Sequence, residues 1–106
     1  MTRHPSQHIL DELYQIILER QNSGDATSRT ARLFAKGPKK IAQKVGEEAV
    51  EVALEGERGA LEDLANESAD LLYHLMVLWA SRGLAPETIW GKLRSRRSGP
   101  SSNEKA

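Results

Sequence analysis

The sequence predicts an all-α fold, an antiparallel helical hairpin with flanking helices, in one domain. Three observations predict it. Apolar residues recur every three or four positions along most of the chain, which is the helical period. No stretch alternates apolar and polar residues for long enough to argue a strand. The length, 106 residues with 39% hydrophobic and 28% charged, suits one folded core and no second one.

The elements follow in order. Ile9, Leu10, Leu13, Ile16 and Ile17 mark a first helix, with Ser6 placed to cap it and Asp11 and Glu12 in its first turns. "NSGD" (Asn22 to Asp25) breaks it. A short helix is expected from about Ser28 to Lys36, closed by Gly37-Pro38. Pro38 suits the first turn of a third helix that runs to about Glu55, with Ile41, Val45, Ala49, Val52 and Ala53 as its apolar stripe. "GERG" (Gly56 to Gly59) reads as a turn. A fourth helix is expected from about Ala60 to Arg82, with Gly83 as its C-terminal cap. Pro86 opens a last helix carrying Ile89, Trp90 and Leu93. The domain is expected over residues 1–97. The tail "SGPSSNEKA" (Ser98 to Ala106) has no apolar residue able to anchor it and is expected to be disordered.

Composition excludes several function classes. Fifteen basic residues balance 15 acidic ones, so no global field points to nucleic acid or an anionic membrane. The absence of cysteine excludes a disulfide framework and any thiolate metal site. "MTRHPSQHIL" has no apolar segment of a secretory signal, and the longest apolar run, Leu71 to Ala80, is about half the roughly 20 residues that a spanning helix needs. A cytoplasmic protein is the expectation. That same run is apolar on nearly every face, which implies burial all round. Either the flanking helices cover it within a monomer, or two hairpins form a four-helix-bundle-like homodimer.

The acidic residues are the unusual feature. Lys44 to Asp70 holds Glu47, Glu48, Glu51, Glu55, Glu57, Glu62, Asp63, Glu67 and Asp70 among apolar residues spaced for burial. At about 100° per residue, Glu48 and Glu51 share a helical face, with Glu47 flanking Glu51. Glu67 and Asp70 repeat the spacing on the next helix, and Asp63 and His74 extend that stripe. A hairpin folded at the centre of "GERG" brings Glu48 level with Glu67, the centres of the two pairs differing by roughly 4.5 Å. Converging carboxylates repel and lose solvation, and a divalent cation removes both penalties. Hard oxygen donors without sulfur suit Mg²⁺ or Mn²⁺ better than zinc or copper. Glu55, Glu57, Glu62 and Asp63 read as an ordinary solvated face. His74 reads as a hydrogen-bonded, partly buried histidine.

Positive charge stands close by. "KGPKKIAQK" places Lys36, Lys39, Lys40 and Lys44 at the start of the acidic helix, and "KLRSRR" adds Lys92, Arg94, Arg96 and Arg97. Such clusters usually serve solubility; beside a metal site they read as a clamp for a polyphosphate. With no Walker-type glycine loop, a P-loop NTPase is excluded.

"KIAQKVGEEAVEVAL" followed by "NESADLLYHLMVLWASRGL" resembles the phosphoribosyl-ATP pyrophosphohydrolases of histidine biosynthesis. These belong to the all-α nucleotide pyrophosphohydrolases, marked by E-E-x-x-E and then E-x-x-D. Here the marks are Glu47-Glu48-x-x-Glu51 and Glu67-x-x-Asp70. "KVGEEAVE", "ESADLLYHL" and "LFAKG" narrow the likeness to the histidine branch. The resemblance implies Mg²⁺-dependent hydrolysis of phosphoribosyl-ATP to phosphoribosyl-AMP and pyrophosphate, by a homodimer. It implies metal binding by Glu48, Glu51, Glu67 and Asp70, with Glu47 beside them as an extra ligand or as the group orienting the attacking water. Lys36, Lys39, Lys40 and Lys44 are then candidates for the phosphate arms. Many members carry Ser-Tyr-Thr where this chain has Ser28-Arg29-Thr30, so any role of that tyrosine does not carry over. Fusion to the zinc-dependent cyclohydrolase of the next step is not expected in a cysteine-free chain of this length. The rival readings are a housekeeping pyrophosphohydrolase acting on free nucleoside triphosphates and a non-catalytic helical module that binds a basic partner.

Overall fold

The computed structural model describes residues 8–98 and is all-helical there. Five helices follow in order: α1 (Ile9–Ser23), α2 (Arg29–Lys36), α3 (Pro38–Arg58), α4 (Leu61–Ser81) and α5 (Pro86–Ser98). The expected tail lies outside the described residues, except where Ser98 ends α5.

Local chemistry sets the boundaries. His8 caps α1: its ring accepts from the Leu10 amide, while the Asp11 carboxylate accepts from the His8 amide. The expected cap, Ser6, lies outside the described residues. Ser28 caps α2 through its hydroxyl, which accepts from the Ala31 amide at 3.1 Å. Pro38 sits at the start of α3, where its missing N–H is no loss.

The turn between α3 and α4 comes later than "GERG" suggests. Helix α3 continues through Gly56 and Glu57 to Arg58. The Arg58–Glu55 ion pair at 3.2 Å supports its last turn, and Gly59, at φ +82°, makes the left-handed cap with its amide on the Glu55 carbonyl. The glycine that breaks the helix is therefore Gly59 and not Gly56, because only the former takes the positive φ. This shift sets Glu48 opposite the stretch carrying both Glu67 and Asp70.

Helices α3 and α4 form the antiparallel hairpin, and the core lies at one end of it. Tyr14 and Ile17 of α1, Leu33 of α2, Ile41 of α3, and Met76, Val77 and Ala80 of α4 are the buried apolar residues. The Tyr14 hydroxyl donates to the Leu84 carbonyl at 2.9 Å, tying α1 to the loop before α5. Helix α5 is attached through Trp90, whose ring N–H donates to Asp11 at 2.9 Å and whose face meets Trp79 edge-on at 6.1 Å. At the turn end the hairpin has no fully buried residue: Ile41 is the last on α3 and His74 the first on α4.

The anchored end should dominate stability. Ile17 is 1% exposed, so Ile17→Ala lowers the unfolding free energy by about 2–5 kcal/mol in urea titration. Ile9, 64% exposed, should tolerate alanine within about 0.5 kcal/mol.

Candidate metal centre

The acidic residues of the hairpin do not all meet. Carboxylate oxygens of Glu48, Glu67 and Asp70 lie within 4.8 Å of one another. Helix α3 supplies the first, and α4 supplies the other two from consecutive turns of one face. Glu48 and Glu67 are partly buried and Asp70 is exposed, so the trio opens to solvent on one side. Among the described residues no other group of three such side chains converges in this way.

Electrostatics mark Glu67 as the centre of the group. Its carboxyl is pushed above the usual range, first by partial burial and then by a hydrogen bond with Glu48. The charges of Glu48, Asp70 and Glu51 push it further in the same direction. Two carboxyl groups can share a hydrogen bond only if one carries a proton. The arrangement is thus short of positive charge, which either a proton or a cation supplies.

The other sequence candidates sit differently. Glu51 lies outside the trio and is exposed, yet its charge is felt at Glu67. Glu47 adjoins Glu48 in sequence but is turned about 100° around the helix. Its carboxylate accepts from Gln43 at 2.9 Å and pairs loosely with Lys44 at 3.9 Å. His74 is 1% exposed and is not part of the trio. Its Nδ1 donates to the Asp70 carbonyl at 2.8 Å, and its ring meets Tyr73 edge-on at 5.0 Å. Its Nε2 is buried without a partner among the described residues. A side chain bonded to the backbone of Asp70 steadies the helical turn that presents the Asp70 carboxylate.

The basic residues divide as well. Lys36 and Lys44 line an open hollow between α2 and α3 together with Arg29, Arg32 and Leu33. Lys39 and Lys40 do not line it, and Lys40 donates instead to Gln43 at 3.4 Å. The two arginines were not singled out in the sequence for phosphate chemistry. Their spacing on α2, at positions i and i+3 with Lys36 four residues further on, was the available signal.

A model of the phosphoribosyl-ATP pyrophosphohydrolase family matches residues 10–97. The chain is 56% identical over 88 residues to the phosphoribosyl-ATP pyrophosphatase of Azospirillum brasilense, spanning 83% of this chain and 79% of the relative. It is 51% identical over 89 residues to phosphoribosyl-ATP pyrophosphatase 2 of Rhodopseudomonas palustris, spanning 84% and 68%. It is 50% identical over 91 residues to the phosphoribosyl-ATP pyrophosphatase of Trichlorobacter lovleyi, spanning 86% and 84%. Glu47, Glu48, Glu51, Glu67 and Asp70 all fall within the matched span. The chain belongs to the phosphoribosyl-ATP pyrophosphohydrolase family.

Proposed function

We propose that this protein hydrolyses phosphoribosyl-ATP to phosphoribosyl-AMP and pyrophosphate, the second step of histidine biosynthesis. Water splits the α–β phosphoanhydride, the bridging oxygen leaves with pyrophosphate, and a proton is released. The observation that carries the reading is the convergence of Glu48, Glu67 and Asp70 on the central hairpin of a chain of this family. The same observation argues against a simple docking module, because a face that only meets a basic partner has no need of partly buried acids in mutual contact.

The donor set suits a hard divalent cation. Three carboxylates without sulfur or imidazole, one of them held back from ionising by its neighbours, match Mg²⁺, and Mn²⁺ after it. Glu48, Glu67 and Asp70 would hold it, with Glu51 as the neighbouring fourth acid. Such a cation, when bound, neutralises charge on phosphate oxygens and lowers the pKa of water. The remaining work belongs to the chain. His74 fixes the turn bearing Asp70 through its bond to that residue's carbonyl. Glu47 stands 3.9 Å from the Lys44 ammonium, a loose pair. Lys36 and Lys44 face the substrate's phosphates from their hollow, while Lys39 and Lys40 add positive charge at the start of α3.

The assembly we infer is a homodimer. Val50 and Leu54 on α3 are 58% and 40% exposed, and Leu61 and Leu72 on α4 are 77% and 41% exposed. Each pair falls on one face of its helix, and Val50 and Leu72 are each turned about 200° from the nearest acid of the trio. The turn end of the hairpin, which lacks buried residues, gains a core when a second hairpin packs there as in a four-helix bundle. No helix among the described residues is long and apolar enough to cross a membrane.

Three outcomes are expected. Pyrophosphate release from phosphoribosyl-ATP, followed beside a panel of nucleoside triphosphates, is confined to phosphoribosyl-ATP and disappears with chelator. Glu67→Gln lowers it by more than about 100-fold, since even groups behind the metal ligands typically contribute 10–100-fold. Turnover of the panel alone would move the protein to a housekeeping role.

The second concerns pH. Glu67 keeps its proton to higher pH in the folded chain than in the unfolded one. Between the two pKa values the folded state binds more protons, so stability falls as pH rises. In chelator, the thermal midpoint therefore declines as pH climbs from the ordinary Glu value of 4.5 through the raised one. Glu67→Gln removes that part of the decline, and Mg²⁺ restores the midpoint near neutrality. Parallel profiles for the two proteins would contradict the account.

Third, sedimentation of the unaltered protein should give a dimer and Leu72→Glu a monomer. An unchanged mass would place the interface elsewhere.

A further inference from the structure

The hollow between α2 and α3 is walled by Arg29, Arg32, Lys36, Lys44 and Leu33, with no acidic side chain in its lining. Four cations from two helices thus face one space. Their partners leave them largely available. Arg32 donates from one Nη to the Ala26 carbonyl at 2.9 Å, which fixes its direction without neutralising its charge. Lys36 makes no hydrogen bond or ion pair among the described residues. Lys44 has only the distant Glu47, at 3.9 Å.

Arg29 is held more firmly than an ordinary surface arginine. Its guanidinium lies over the Tyr73 ring, 5.7 Å from the centroid. The Tyr73 hydroxyl is in turn bonded to the Thr30 hydroxyl at 2.6 Å, so α2 and α4 clasp each other at this point. A guanidinium held over a ring in this way can still turn N–H groups toward an anion, and its planar fork suits phosphate oxygens.

The position of the hollow is as informative as its charge. Lys44 precedes Glu48 by four residues on α3, and Tyr73 follows Asp70 by three residues on α4. In an antiparallel hairpin both steps lead the same way along the axis. The cationic hollow therefore begins about one helical turn, roughly 5 Å, from the carboxylate trio. A separation of that size is within the reach of a phosphate chain held at both ends.

We propose that Arg29, Arg32, Lys36 and Lys44 form a pyrophosphate subsite, which takes the two terminal phosphates of the substrate and retains them as the leaving pyrophosphate. This rests on the pyrophosphohydrolase reading above and adds to it the two arginines, their anchor on Tyr73, and the part of the substrate that they hold. Nearness to the trio favours the terminal phosphates, because the anhydride to be cleaved is the one directly next to them. Exposed cations act over a short screened range, so affinity at this site falls with added salt.

The test is calorimetric titration of the full chain with inorganic pyrophosphate and, separately, with ribose 5-phosphate. Arg29→Ala and Arg32→Ala each weaken pyrophosphate binding about tenfold, the usual scale for a hydrogen bond to a charged group. Arg32→Lys recovers part of the loss, and ribose 5-phosphate binding is unchanged. Both arginines are exposed, and retained thermal midpoints and Mn²⁺ binding show that the fold and the trio are intact. Unaltered pyrophosphate affinity in both alanine variants overturns the proposal. So does a loss confined to ribose 5-phosphate, which would give the hollow to the phosphoribosyl end. Pyrophosphate binding is read without turnover, so an inactive unaltered protein would count against the enzyme reading and leave this result standing by itself.

Discussion

Mutual repulsion among Glu48, Glu67 and Asp70 is the constraint around which the rest of the molecule is arranged. Carboxylate oxygens within 4.8 Å of one another, two of the side chains partly buried, separate unless the backbone beneath them is stiff. Two long helices supply that stiffness. Each has 21 residues, and the ladder of backbone hydrogen bonds leaves the acids no freedom beyond their own rotamers. The same repulsion, together with partial burial, holds the Glu67 carboxyl above the usual range. A group that must choose between a proton and a cation binds the cation more tightly as pH rises.

Stability and chemistry are placed at different heights of the hairpin. The core of Ile17, Ile41, Met76 and Val77 clamps the end where α3 begins and α4 finishes. The carboxylates come next, followed by a two-helix projection with exposed Val50, Leu54 and Leu61. A charged site buried inside the core would incur a far larger desolvation penalty. A site at the tip of an uncovered hairpin would lack rigidity. The intermediate height meets both demands, and a second hairpin packed on the apolar face would stiffen the tip from outside.

Helix α2 is short, yet it organises the cationic side. Its single buried residue, Leu33, seats it in the core, and the Tyr73–Thr30 bond fixes it to α4. Arg29, Arg32 and Lys36 of this helix line one hollow with Lys44 of α3. The cationic hollow and the carboxylate trio thus stand about one helical turn apart, with Lys44 only loosely paired to Glu47 and Arg29 held over an aromatic ring.

Helical periodicity, the Pro38 start, the Ser28 cap and the acidic spacing are local properties, and the sequence alone determined them. A residue's angle around its own helix depends only on counting, so the pairs Glu48/Glu51 and Glu67/Asp70 were legible as faces. Matching the family's acidic motif required nothing more. Three features needed the tertiary structure. The turn lay at Gly59 because Gly59 takes the positive φ, while Gly56 stays helical beside Leu64 of α4, and which of the two glycines turns is settled where the helices meet. Glu51 lay apart from the trio because convergence is a property of two helices in register and not of spacing on one. The union of Arg29 and Arg32 with Lys36 and Lys44 arose from the packing of α2 against α3 and α4, across a bend at Gly37 that no periodicity encodes.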